Sequence, residues 1–155
     1  MISFWTTRDD PNKDSMQYDY QSVYTINTDG TNLIKRFQIT EMSNKSVGNG
    51  IFPTVSPDGK TYVFMMNLDL YSISMDGTNL KNLTQSEGIG EYHPFYRQDN
   101  SRVFYSSHDT VSQSLNIYSI GIDGNNKEQH TFFNDEKIVI LYPKNKPKNA
   151  LPNIR

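Results

Sequence analysis

The stretch Leu70–Thr84 reads LYSISMDGTNLKNLT. A copy precedes it at Val23–Phe37, VYTINTDGTNLIKRF, and another follows at Ile117–Thr131, IYSIGIDGNNKEQHT. Their Asp-Gly pairs stand at 29/30, 76/77 and 123/124, so both intervals are 47 residues. Within the copies, Tyr71, Ile73 and Met75 alternate with Ser72 and Ser74, and Tyr118, Ile120 and Ile122 alternate with Ser119 and Gly121. A period of two is the pattern of a strand. A fixed repeat of about 40 to 50 residues built from strands marks a repeat architecture.

Working outward from the central copy, FPTVSPDGKTYVFMM (52–66) aligns without gaps on HPFYRQDNSRVFYSS (93–107). Pro53 matches Pro94, Asp58 matches Asp99 and Phe64 matches Tyr105. Arg97, Gln98 and Asn100 replace Ser56, Pro57 and Gly59, which weakens the turn chemistry in the later unit. Each complete unit is therefore four strands, A to D. The central unit is predicted as 51–56, 60–66, 70–75 and 80–84. The first contributes strands at 1–7, 23–28 and 33–39, without a strand A. The third is predicted to begin at 93 and to end with strands at 117–122 and 127–132. A lone strand A, IVILY, follows at 138–142.

Large residues on one face with small ones opposite let neighbouring sheets pack closely. The expected fold is all-β, a partial β-propeller of about three four-stranded antiparallel blades over residues 1–142, with no helix beyond a single turn. The repeat units are about 1–40, 51–84 and 93–132, and 143–155 form a tail. The competing architecture is an ordinary β-sandwich or meander.

Composition narrows the function. The chain has 155 residues, 15 basic and 17 acidic, for a net charge of −2. That balance gives no electrostatic footprint for nucleic acid. With no cysteine, thiolate metal sites, disulfides and thiol nucleophiles are excluded. No apolar run is long enough to cross a membrane as a helix, and no secretory signal pattern opens the sequence. Ten Tyr and eight Phe suit half-buried pleated surfaces.

No G-x-S-x-G elbow and no phosphate-binding glycine loop is present. His93, His108 and His130 lack the spacing of metal ligands. Asp10, Asn12 and Asp14 imitate the start of a calcium loop, but Ser15 stands where glycine is required and no glutamate closes it. Asp58, Asp76 and Asp123 read as turn aspartates that bond their own backbone. No catalytic, cofactor-binding or metal-binding residue is assigned.

The motif PTVSPDGKTYVF, with the DGTNLKNLT hairpin after it, resembles the repeat of TolB-type β-propellers, which also occurs in prolyl oligopeptidase-like peptidases. Pro53, Ser56, Pro57, Asp58, Gly59, Lys60, Asp76, Gly77, Leu83 and Thr84 carry the resemblance, and Val55 and Tyr96 replace the usual tryptophan. It implies a non-catalytic protein-binding module of the bacterial envelope, periplasmic or secreted, working with a protein partner and without a cofactor. The alternative it allows is the propeller portion of a prolyl oligopeptidase-like serine peptidase, without its hydrolase domain.

In an antiparallel blade, A–B and C–D turns share one rim, and B–C and D–A loops share the other. The first rim is uniform: PDG, DGTN, DGNN. The second varies, and variable loops on a rigid frame are where binding resides. Arg8, Asp9, Tyr18, Tyr20, Glu91, Tyr92, His93 and His108 are the candidate partner-binding residues there. Because unit one lacks strand A and 138–142 supplies a spare one, two accounts of the ends stand: part of a longer propeller, or two copies exchanging ends as a homodimer of six blades.

Overall fold

Five segments of the computed structural model are described: residues 1–9, 21–39, 52–87, 89–109 and 114–133. Three antiparallel sheets occupy them. The first contains β1 (Ile2–Thr6), β2 (Ser22–Ile26) and β3 (Ile34–Gln38). The second contains β4 (Thr54–Val55), β5 (Thr61–Met66), β6 (Asp69–Ser74) and β7 (Lys81–Asn82). The third contains β8 (Ile89–Tyr96), β9 (Arg102–Asp109), β10 (Leu115–Gly121) and β11 (Glu128–Gln129). Strands follow chain order within every sheet, and no helix occurs among the described residues. The expected strand at 138–142 and the tail lie outside the described residues.

The three hairpin turns that stand 47 residues apart share one geometry. Asp29, Asp76 and Asp123 each accept a hydrogen bond at 3.0 Å from the backbone N–H two residues on. Gly30, Gly77 and Gly124 follow with φ of 83°, 85° and 78°, and Asn32, Asn79 and Asn126 adopt φ near 57°, 57° and 56°. Glycine and asparagine are the residues that tolerate this left-handed region. Asn100 takes the same conformation, φ 60°, at the position of Gly59, so the weaker-looking turn keeps its geometry.

Strand D is shorter than the sequence pattern suggests. β7 and β11 are two residues each, against expectations of 80–84 and 127–132. The reason is a threonine, Thr84 in one blade and Thr131 in the next. Leu83 N–H still bonds the Leu70 carbonyl, but the Thr84 hydroxyl then accepts the Leu70 N–H at 3.0 Å. Thr131 does the same for Ile117 at 2.8 Å. A side-chain hydroxyl takes the place of the next strand carbonyl, and the ladder stops.

Strand A of the third unit is longer than expected, beginning at Ile89 rather than 93. A bulge between Tyr92 and Phe95 absorbs the extra length, with His93 at φ 53°. Gly90 fits inside this strand because a Cβ there would collide with the Tyr92 ring.

Two cores hold the sheets face to face. Trp5, Val23 and Phe37 of the first sheet pack on Tyr62, Phe64 and Ile73 of the second. Val63, Met65, Leu70 and Leu83 on the other face of the second sheet pack on Val103, Tyr105 and Ile120 of the third. One aromatic stack recurs on the same face of each sheet: Phe4–Tyr24 at 6.0 Å, Phe64–Tyr71 at 6.3 Å and Tyr105–Tyr118 at 6.0 Å. Turns also bridge sheets. The Cβ position of Gly77 lies 3.6 Å from Phe37 Cβ, and that of Gly124 lies 3.2 Å from the Leu83 carbonyl.

Candidate functional site

Arg8 and Asp9 leave the end of β1 at the variable rim. Asp9 accepts a hydrogen bond from the Tyr24 hydroxyl and lies 3.2 Å from the Lys35 ammonium, while Arg8 stacks 5.1 Å above the Tyr24 ring. The Tyr24 bond, with help from Lys35 and Arg8, holds the Asp9 carboxyl below the usual carboxylate range. Tyr18 and Tyr20 lie outside the described residues.

Glu91, Tyr92, His93 and His108 are strand residues, not loop residues, and this corrects the expected layout. Glu91 and His108 pair within the β8–β9 ladder opposite Ser107 and Gly90. Glu91 is wholly buried. Its N–H bonds the Leu68 carbonyl of the second sheet at 2.9 Å, and its Oε1 accepts from Ser86 Oγ at 2.9 Å. Lys127 Nζ lies 3.4 Å from the same oxygen. Burial pushes the Glu91 carboxyl up, against the opposing pull of Thr84, Ser86 and Lys127. Glu91 is thus a fastening between blades, out of reach of a partner. His93 is exposed and stacks 4.5 Å from Phe52.

The rim of the third sheet carries a feature that sequence reasoning missed. Residues Ile89, Ser107, Asp109, Asn116, Tyr118 and Gln129, with Phe132 and Phe133, line a pocket of about 190 Å³. Ile89 and Asp109 face each other at the end of the β8–β9 ladder, which puts the pocket on the variable rim. Phe132 is 75% exposed and Phe133 44%. They do not continue β11. Instead Asn116 accepts from Phe133 N–H at 2.8 Å and from Thr131 Oγ1 at 3.0 Å, and donates to the Phe133 carbonyl at 3.2 Å. The backbone of Phe133 is thereby tied to β10 while both rings stay exposed. Among the described residues no three His, Asp or Glu side chains gather as metal ligands.

No protein-family model and no curated protein matches the chain. Solved structures do. A TolB structure from Agrobacterium tumefaciens superposes with a TM-score of 0.55 at 18% identity, over 70% of this chain and 40% of that one. TolB from Acinetobacter baumannii gives 0.55 at 19% identity, over 76% and 28%. The fold is that of a TolB-like β-propeller.

An oligogalacturonate lyase in complex with manganese gives a TM-score of 0.50 at 22% identity, over 71% of this chain and 30% of that one. The TolB-like frame thus serves proteins of different chemistry, and what this chain does has to be argued from its own rims. It spans well under half the length of each of these structures. On the uniform rim of its TolB-like blades, turn aspartates are consumed by their own backbone. On the variable rim, aromatic and polar side chains stand available.

Proposed function

We propose that the chain is a non-catalytic, protein-binding propeller module whose contact surface is the variable rim. The observation that carries this reading is the pair Phe132 and Phe133, exposed beside a pocket, with the backbone of Phe133 tied to the Asn116 side chain. Exposed aromatics on a rigid support are the anchors that protein interfaces favour, because little side-chain entropy is lost on contact. Arg8 and Asp9 lie on the same rim of the first blade. The resemblance to TolB-type repeats supports the same class and carries with it a periplasmic or secreted location.

The test is site-specific photo-crosslinking in extracts of the source cells, with the probe at position 132 or at position 76 on the uniform rim. A discrete protein adduct at 132 that disappears in F133A, and is absent at 76, is the expected result. Equal labelling at both positions, or hydrolysis of peptide substrates by the purified chain, rejects the reading.

A further inference from the structure

The rim pocket of the third sheet has a counterpart in the first. Phe4 pairs with Tyr24 across β1 and β2 as Tyr105 pairs with Tyr118 across β9 and β10. Both pairs stack, at 6.0 Å. Counting on from the matched pair, Ser107 takes the place of Thr6, and Asp109 that of Arg8. In the first sheet the chain supplies its own cation here. The Arg8 guanidinium lies 5.1 Å over the Tyr24 ring, with its Nε 3.4 Å from the Asp9 carboxylate. In the third sheet a carboxylate stands where that cation starts, and Tyr118 borders the pocket.

The groups left facing the pocket are acceptors. Asn116 donates its amide to the Phe133 carbonyl at 3.2 Å. Gln129, opposite Tyr118 in the β10–β11 ladder, donates its amide to the Thr131 carbonyl at 2.7 Å. Both amide nitrogens are thus turned to the chain's own backbone, and the oxygen is the end of Gln129 left over. Asp109 is half-buried, and the residues that line the pocket include no Lys, Arg or His. Burial and then the Asp109 charge push the Tyr118 hydroxyl up, so this carboxylate is felt at the ring. Lys127, 5.1 Å over the Tyr118 ring, is already paired with Glu91. Tyr118, Phe132 and Phe133 add ring faces, which attract cations. The lining offers acceptors, π faces and a negative charge, and it suits a flat cation rich in donors.

We propose that the pocket receives an arginine side chain of the partner protein, its guanidinium set between the Asp109 carboxylate and the rings of Tyr118 and Phe132, as Arg8 is set between Asp9 and Tyr24 within the chain. The inference rests on the rim reading above and adds the chemistry that the rim selects. Arginine suits the pocket better than lysine, because one flat group can stack on a ring and give a carboxylate two hydrogen bonds at once.

Titration of the isotope-labelled chain with N-acetyl-arginine amide, followed by amide NMR, reads the pocket without the partner. Saturable shifts are expected at Asp109, Tyr118, Gln129 and Phe133, and they should weaken as salt is raised. N-acetyl-citrulline amide, of similar shape but uncharged, is expected to bind about tenfold more weakly, and so is the arginine probe to the D109N chain. Equal binding of the two probes, undiminished binding to a D109N chain whose second-sheet resonances are unchanged, or no saturable shift at these residues overturns the proposal. The photo-crosslink at position 132 separates the two readings. An adduct lost in D109N supports both. An adduct that persists undiminished in D109N overturns the arginine and leaves the protein-binding rim standing. Arginine binding with no adduct at 132 rejects the rim reading, and the protein origin of the arginine with it.

Discussion

The Lys127 ammonium lies 3.4 Å from the buried Glu91 carboxylate and 5.1 Å above the Tyr118 ring. It ties the turn before β11 to the inner strand β8. Ser86, from the neighbouring blade, bonds the same carboxylate oxygen at 2.9 Å, and Lys127 donates to Ser86 Oγ at 3.2 Å. Charge and hydroxyl together fasten the second blade to the third. The fastening is incomplete, since Glu91 Oε2 and the Tyr105 hydroxyl are buried without a hydrogen-bond partner among the described residues. Asp69 adds like charge nearby.

Glu91 therefore sets a pH dependence with a definite sign. Its folded carboxyl is shifted up, chiefly by burial. The folded state holds the proton more tightly than the unfolded state, so this group's contribution is fully present below the ordinary glutamate value of about 4.3 and is lost as pH rises through the folded value. Glu91→Gln keeps an acceptor for Ser86 and removes the buried charge. Chemical denaturation should show the variant gaining on the parent as pH rises from about 4 toward 7. A difference that stays constant over that range would falsify the assignment.

The turn aspartates act in the opposite direction. Asp29, Asp76 and Asp123 are held below the ordinary range, first by the side chain two residues on and then by its backbone N–H. Their stabilisation is present above the unfolded value of about 3.9 and fades as pH falls through the folded values. Replacing all three with Asn keeps the turn acceptor and removes the titration. The acid limb of the melting-temperature profile should then flatten, and an unchanged limb would reject the role given to these bonds.

Core and surface leucine-type positions in one repeat should separate cleanly. Ile73 is 1% exposed between Phe37, Tyr62 and Phe64, whereas Leu80 is 39% exposed on the uniform rim. Ile73→Ala should cost about 2–5 kcal/mol, lost transfer energy plus a cavity that the blades cannot close. Leu80→Ala should stay within about 0.5 kcal/mol. Urea unfolding of the two variants decides, and similar midpoints would contradict the packing described.

What could be read in the sequence was whatever repeats. The interval between Asp-Gly pairs and the Tyr-x-Ile alternation each have a local cause, so each copy announces the same blade. Glu91 could not be read this way. It sits in QSEGIGEYH, where Gly88 and Gly90 imitate loop punctuation, yet the Leu68 carbonyl of another blade pairs its N–H and draws the segment into a strand. Phe132 misled for the converse reason. The pattern extends the last strand to it, over 127–132, but the Thr131 hydroxyl has already ended the ladder. Both errors concern a contact between distant residues that overrides local pattern, and the candidate site was correspondingly less legible than the fold.

Asn116 gives the most direct check on the rim. It is 6% exposed in β10, and one side chain there holds the Thr131 hydroxyl and both backbone groups of Phe133. Asn116→Ala strands these groups beside the pocket and should cost about 1–3 kcal/mol. Asn116→Asp keeps both acceptor contacts and loses only the donation to the Phe133 carbonyl, so its cost should be smaller. Because the segment lies at a sheet margin, the loss should appear first as local opening. Amide exchange at Phe133 should accelerate in Asn116→Ala, while exchange at Tyr62 and Phe64 in the second sheet stays slow. Equal acceleration throughout would make Asn116 a general core residue. No acceleration at Phe133 would mean that its side chain does not hold the rim aromatics in place.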